Sequence, residues 1–159
     1  MLFRSGPLIR AKGLDRVEDQ IARTRASGGR VLTGGGRHKL GGRFFQPTVL
    51  AGGDDRLFAA EETFGPVAPV FGFLTEEEAL SRANASDFGL AAYLFTRDLD
   101  RAMRAGRALE AGIIGVNTGV ISNAANPFGG VKQSGYGREG SAYGVDDYLQ
   151  VKSLTLALG

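Results

Sequence analysis

The sequence predicts an α/β fold: a partly parallel sheet with flanking helices. Two observations carry this. Between residues 67 and 117, apolar runs alternate with helical periods in the order strand, helix, strand, helix, strand, which is the pattern of parallel β-units joined by helices. The 25 glycines follow no collagen period and sit among apolar runs, so they mark turns and close backbone approaches rather than disorder. At 159 residues the chain has the length of one domain, long enough to bury a core.

The elements follow in order. After Gly6-Pro7 the period is helical: Leu14, Val17 and Ile21 share one face, Asp19 stands four residues before Arg23, and Gly28-Gly29 ends the helix. Arg30 to Thr33 is a short strand stopped by Gly34-Gly35-Gly36. Phe44 to Leu50 is extended, and Pro47 makes it an edge or a stretch outside any ladder. Val67 to Leu74 is a stronger strand whose start Pro66 and Pro69 confine to an edge or loop. Thr75 to Glu78 is a capping box opening a helix that runs toward Ala85. Leu90 to Thr96 is an apolar strand. Asp98 caps a second helix, with Leu99, Met103 and Leu109 facing inward, and Gly112 ends it. Ile113 to Asn117 is a buried strand. Thr118 to Gly140 is almost all loop, and a loop of that length in a compact domain is usually functional or disordered. A short helix follows near Ser141–Tyr143, and Tyr148 to Leu156 alternates as a C-terminal strand.

Charge and composition exclude several classes. Residues 1–50 carry ten Lys/Arg against three Asp/Glu, whereas residues 51–159 carry nine against fourteen. The basic third is read as a solvated surface, or one that docks on something acidic, and not as a nucleic-acid site, because its arginines are dispersed and lack interleaved aromatics. With no cysteine, disulfides and thiolate zinc sites are excluded, and a reducing compartment fits. No run of 18 apolar residues exists, so no membrane span is expected. Met1 to Pro7 lacks a basic region followed by an apolar core and is not a secretory signal. The expected location is cytoplasmic, where the Asn84-Ala85-Ser86 sequon would have no use.

Simple catalytic constellations are missing. Gly135-Tyr136-Gly137-Arg138-Glu139-Gly140 spells G-x-G-x-x-G, but Phe128 to Ser134 before it is not strand-like, so it is read as a turn cluster. His38 is the only histidine and lies on an exposed turn, which leaves no Ser-His-Asp triad and no metal cluster. Glu61 and Glu62 are neighbours on an extended segment and point opposite ways; one of them facing a ligand is more plausible than a shared proton.

Two stretches carry the functional signal: Glu61-Glu62-Thr63-Phe64-Gly65-Pro66-Val67 and Asn126-Pro127-Phe128-Gly129-Gly130-Val131-Lys132-Gln133-Ser134-Gly135. With Gly6-Pro7-Leu8-Ile9, Gly34 to Gly36, Phe45-Gln46-Pro47-Thr48 and Gly115-Val116-Asn117 in the same order, they resemble the aldehyde dehydrogenase superfamily over essentially the whole chain. Gly115 to Asn123, followed by Gly137-Arg138-Glu139-Gly140-Ser141 and Tyr143-Gly144, is similar to the succinate-semialdehyde dehydrogenases within it. Ala125-Asn126 before Pro127 departs from the small apolar residue more usual there.

The resemblance implies roles. Glu62 would bind the nicotinamide-side ribose hydroxyls, since a carboxylate accepts two hydrogen bonds from a diol, and Phe64 would pack by the nicotinamide. Ser122 would hydrogen-bond the carboxylate tail of succinate semialdehyde, and Phe128 would pack by the aldehyde. The resemblance covers the C-terminal third of a family member: residues 1–145 as a partial catalytic domain and 146–159 as an oligomerisation strand. The nucleophilic cysteine, the general-base glutamate and most of the nucleotide-binding domain would lie upstream, so no residue of this chain is assigned a catalytic role, and no metal is implied. The expected function is thus a C-terminal part of an NAD(P)-dependent succinate-semialdehyde dehydrogenase, inactive alone. The alternative is a non-catalytic binding or assembly module derived from the family. NAD or NADP is implied for the full-length family, and binding by this chain alone is not expected. The partners expected are further copies, joined through the last strand, and an upstream nucleotide-binding fragment. No nucleic acid or membrane is expected.

Overall fold

The computed structural model describes residues 6–159, so the reading of Met1 to Pro7 as no secretory signal rests mainly on residues outside that range. The chain divides after Ala79 into two compact units.

The first unit is built on α1 (Ala11–Ala26). Leu14, Val17 and Ile21 are buried, as their spacing predicts, and join Phe45 and Leu50 in one core, with Leu8, Val31, Phe58 and Val67 around it. The helix ends where the glycines predict. Gly28 adopts φ +86°, and the Gly29 amide donates to Thr24 O at 2.8 Å. Against α1 lies a three-stranded sheet of β1 (Arg30–Thr33), β2 (Thr48–Ala51) and β3 (Val67–Val70), in the order β1-β2-β3. β1 and β2 run antiparallel with Val31 opposite Leu50, and β2 and β3 run parallel with Leu50 opposite Pro69.

Two expectations need correction in this unit. Pro47 stands outside the ladder, one residue before β2, and β2 itself is the central strand, not an edge. Proline interrupts only the ladder position it occupies, so pairing resumes at once on both sides. β3 stops at Val70, four residues short of Leu74; it is an edge strand, which is why Pro69 is tolerated within it. A short α2 (Arg56–Ala60), not anticipated, precedes the Glu61 segment.

α3 (Glu76–Asn84) carries the predicted capping box: Thr75 Oγ1 accepts from the Glu78 amide at 3.1 Å, and the Glu78 carboxylate reaches back to the Leu74 amide at 2.8 Å.

The second unit contains β4 (Phe88–Gly89), β5 (Ala91–Leu94), α4 (Leu99–Ala108), β6 (Ile113–Val116), β7 (Val131–Lys132) and a 3-10 helix (Tyr143–Tyr148). β5 and β6 are parallel, with Ala91 opposite Ile113 and Leu94 opposite Val116; β4 and β7 are antiparallel. The single partly parallel sheet of the sequence reading is therefore three small sheets of mixed direction. Periodicity identifies strands but not their neighbours, and strands of two to four residues build little ladder.

Asp98 caps α4 as predicted, its Oδ1 accepting from the Arg101 amide at 3.0 Å. The inward face does not hold: Leu99 is 75% and Met103 51% exposed, and only Ala105 of this helix is buried. β6 is half-buried rather than buried, with Gly115 alone enclosed. Ala105 is the one fully buried apolar side chain among the described residues of this unit, and several of its close approaches are made by glycine backbone. A Cβ at Gly112 would strike Gly129 O, and one at Gly89 would strike Glu110 O.

Polar ties supplement this thin core. The Lys132 ammonium donates to Asn84 O (2.8 Å) and Ser86 O (3.1 Å) at the end of α3 and pairs with the Glu110 carboxylate at 2.6 Å. The Asn84 amide donates to Ala108 O at 2.8 Å and accepts from the Glu110 amide at 2.9 Å. The sequon asparagine is thus occupied on both sides of its amide. Tyr148, read as the start of the last strand, instead ends the 3-10 helix, and residues 149–159 are exposed without a ladder. Alternation marks a segment fit to pair, but a strand forms only against a neighbour, and no described part of this chain supplies one.

Three carboxylates are held below their ordinary values of 4.5 (Glu18) and 3.8 (Asp54, Asp98). The causes are the Arg37 guanidinium at Glu18, the Arg56 guanidinium at Asp54, and the Arg101 amide at Asp98. A depressed folded-state pKa contributes stability that is complete above the unfolded value and lost as pH falls through the folded one. Thermal melts are expected to be flat between about pH 5 and 7 and to fall below about pH 4. Asp98→Asn keeps the capping acceptor and should flatten part of that acid limb; an unchanged acid limb would contradict the assignment.

Candidate functional site

In the first unit the Glu61–Pro66 segment is fixed by α1. Glu61 follows α2 in extended conformation (φ −138°, ψ 118°). Arg16 Nε pairs with Glu61 Oε1 at 3.0 Å, and Arg16 Nη1 donates to Glu62 O at 3.3 Å. One turn further along, Gln20 Nε2 donates to Glu61 O at 3.2 Å. Gly65 lies directly on the core: a Cβ there would stand 2.6 Å from Val17 Cγ2.

This geometry separates the two acids that sequence left as alternatives. The Glu61 carboxylate is in the ion pair with Arg16. The Glu62 carboxylate is exposed and has no partner among the described residues, which leaves both its oxygens available as acceptors. Phe64 adopts φ +44°, a left-handed conformation rare for a bulky residue, while its ring stays 74% exposed. Burial therefore does not compensate the backbone strain, and strain of this kind gathers at binding sites. Beside it opens a cleft of about 940 Å³ lined by Gly6–Arg10, Lys12, Gly13, Arg16 and Thr63–Pro66. An exposed carboxylate thus stands next to an exposed aromatic, beside a cleft with the cationic Arg10, Lys12 and Arg16 on its wall, Arg16 being the one paired with Glu61.

In the second unit the long loop starts at Asn117, at φ +54°, whose side chain holds Thr96 from both directions (Thr96 N to Oδ1, 2.9 Å; Nδ2 to Thr96 O, 2.8 Å). Ser122 is exposed, and its hydroxyl has no hydrogen-bond partner among the described residues. A turn over 123–126 follows, tied by the Ser141 amide to Ala124 O at 2.9 Å. Phe128 is half-buried and exchanges two backbone hydrogen bonds with Glu139 (2.8 and 2.7 Å). It lines a cleft of about 530 Å³ with Leu90, Ser134, Arg138 and Asp147; Ser122 is outside that lining. Arg138 Nη1 donates to Gly130 O (2.9 Å) and Gly137 O (2.7 Å), and a Cβ at Gly137 would strike the Asp147 carboxylate. Gly135 to Gly140 is thus a turn cluster locked onto its own loop, with no regular α-helix behind it.

Sequence reasoning missed Arg16, Gln20 and Lys132. Gln20 had a signal, since it falls three residues after Val17 on the buried face; Lys132, in the two-residue β7 within a stretch read as loop, had none. No group of three or more His, Cys, Asp or Glu that could hold a metal is present among the described residues, and His38 Nδ1 accepts from the Leu40 amide at 3.3 Å. No helix among them is long and apolar enough to cross a membrane. No thiol is present in the sequence at all.

The profile of the aldehyde dehydrogenase family matches residues 3–154. Over 154 residues the chain is 51% identical to succinate-semialdehyde dehydrogenase [NADP(+)] GabD of Escherichia coli (strain K12), covering 96% of this chain and 32% of that protein. It is 50% identical to a glutarate-semialdehyde dehydrogenase of Pseudomonas aeruginosa over 96% of this chain and 32% of the relative. The crystal structure of succinate-semialdehyde dehydrogenase from Burkholderia pseudomallei superposes with a TM-score of 0.86 at 56% identity, over 90% of this chain and 30% of that one. The chain thus spans about a third of the length of the proteins it matches.

Phe64→Gly should relieve the left-handed strain and raise stability by about 1 kcal/mol, because glycine adopts φ > 0 freely and little buried area is lost. A lowered melting temperature in calorimetry would show that the ring contributes packing instead.

Proposed function

The chain belongs to the aldehyde dehydrogenase family, and on that footing we propose that it is the cofactor-ribose and substrate-loop part of an NAD(P)-dependent semialdehyde dehydrogenase that cannot turn over alone. The observation that carries the reading is a contrast. Identity near one half extends through both motifs, and the Glu62 carboxylate stands free, yet the chain has no cysteine. Aldehyde oxidation of this class begins with a thiolate adding to the carbonyl carbon, and nothing here can take that role. The nicotinamide, when bound, accepts the hydride. The residues of this chain bind and orient: Glu62 by accepting from the ribose hydroxyls, Phe64 by confining the ring, Phe128 by packing at the aldehyde end.

Ser122 is the proposed contact for the substrate's anionic tail; its exposed hydroxyl with no internal partner supports this, as do the carboxylate-tailed aldehydes in the names of both relatives. Succinate semialdehyde is the substrate expected first, with glutarate semialdehyde one methylene longer. The cleft beside Phe64 is accordingly the proposed dinucleotide contact, incomplete without a nucleotide-binding fragment.

Pure chain given succinate semialdehyde with NAD or NADP is expected to give no reduced cofactor at 340 nm. Co-expression with an upstream fragment bearing the cysteine and nucleotide-binding domain is expected to restore it. Turnover by the pure chain overturns the reading, and failure of restoration favours the non-catalytic assembly module.

The tail supports a proposed self-association. Val151, Leu154, Leu156 and Leu158 are exposed, without a ladder, in an alternating segment. Light scattering is expected to find oligomers that truncation after Tyr148 dissolves; a monodisperse monomer would rule this out.

A further inference from the structure

Gln20 is fully buried on α1, among residues otherwise apolar or bonded to their own helix. Its amide is half used. Nε2 donates to Glu61 O at 3.2 Å, whereas Oε1 is the only buried side-chain polar atom among the described residues without a partner. A buried orphan acceptor is unfavourable, and an apolar side chain of the same length would fill the space without that penalty. The residue's one tertiary hydrogen bond goes to the carbonyl immediately ahead of Glu62. Arg16, one turn earlier on the same face, holds Glu62 O at 3.3 Å and occupies the Glu61 carboxylate.

We propose that Gln20 is a positioning residue: with Arg16 it fixes the Glu61–Phe64 turn so that the Glu62 carboxylate and the Phe64 ring present to the cofactor. This rests on the reading of Glu62 and Phe64 as cofactor contacts. The two donors act on successive carbonyls, those of Glu61 and Glu62, so together they set the peptide planes on both sides of Glu62. Arg16 alone holds the second carbonyl on a bond at the long end of the range. Loss of Gln20 therefore frees the turn at its origin, where a small rotation displaces both functional side chains.

The test is Gln20→Met, with Gln20→Leu as a second variant should the thioether pack poorly. In the chain itself, ¹⁵N relaxation is expected to show the backbone order parameters of residues 61–64 falling from about 0.85 to below about 0.6 while the rest of the first unit is unchanged. The melting temperature is expected not to fall, since the orphan acceptor is removed. In the co-expressed pair, KM for NADP is expected to rise on the order of tenfold, the equivalent of one hydrogen bond's worth of orientation, with kcat for bound substrate changing less. A rigid turn in both variants, or loosening spread over the whole unit with a lowered melting temperature, overturns the proposal. An unchanged KM in an active variant pair does so as well. If the unmutated pair shows no turnover, the dehydrogenase reading fails, and the relaxation data still decide whether Gln20 fixes the turn.

Discussion

The contact of Gly65 on Val17 is the constraint on which the candidate cofactor side depends. Val17 is fully buried at the centre of the α1 face, and the segment after Phe64 comes so close to it that no Cβ fits between them. The site loop is therefore not laid over a finished core; it forms one wall of it. Val17 seats the loop through van der Waals contact, while Arg16 and Gln20, its neighbours on the helix, hold the backbone of Glu61 and Glu62 by hydrogen bonds. Helical periodicity places these three residues within reach of a single segment. Packing and presentation are thus functions of the same two turns of helix.

The second unit is organised differently. With Ala105 its one fully buried apolar side chain among the described residues, it offers little transfer free energy to hold a fold. It relies on glycines where backbone meets backbone and on polar side chains that occupy carbonyls at helix ends. Lys132 gathers the end of α3 and the Glu110 loop onto β7, and Asn84 joins that loop to the end of α4. The exposed Leu99 and Met103 are apolar positions for which this chain provides no cover. Relatives three times as long have further chain from which such cover could come.

What could be read in the sequence was local. The α1 face, the stops at Gly28-Gly29, the Thr75 capping box and the Asp98 cap were all legible, because each is decided within a few residues. The central place of β2 was not, since strand order depends on which segments meet, and Pro47 pointed to an edge or to a stretch outside any ladder, of which only the second holds, and only for Pro47 itself. The α4 face was misjudged because period shows which side is apolar, not whether anything lies against it. At the candidate site, the resemblance put forward Glu62 and Phe64, but telling Glu62 from Glu61 required a coordinate: the position of Arg16, 45 residues before Glu61, which pairs with the Glu61 carboxylate. Gln20 was visible as a polar residue on a buried stripe and went unread.

The C-terminal segment has a consequence for how long a copy survives. Residues 149–159 are exposed along their length and make no ladder. Unpaired backbone is what a protease needs to thread its active site, and chain ends without hydrogen bonds are where cleavage concentrates. Pairing with another strand would withdraw the same peptide groups from attack. Under the proposed self-association the tail would couple turnover to assembly: a solitary copy would leave this segment open to cleavage, and an assembled one would conceal it.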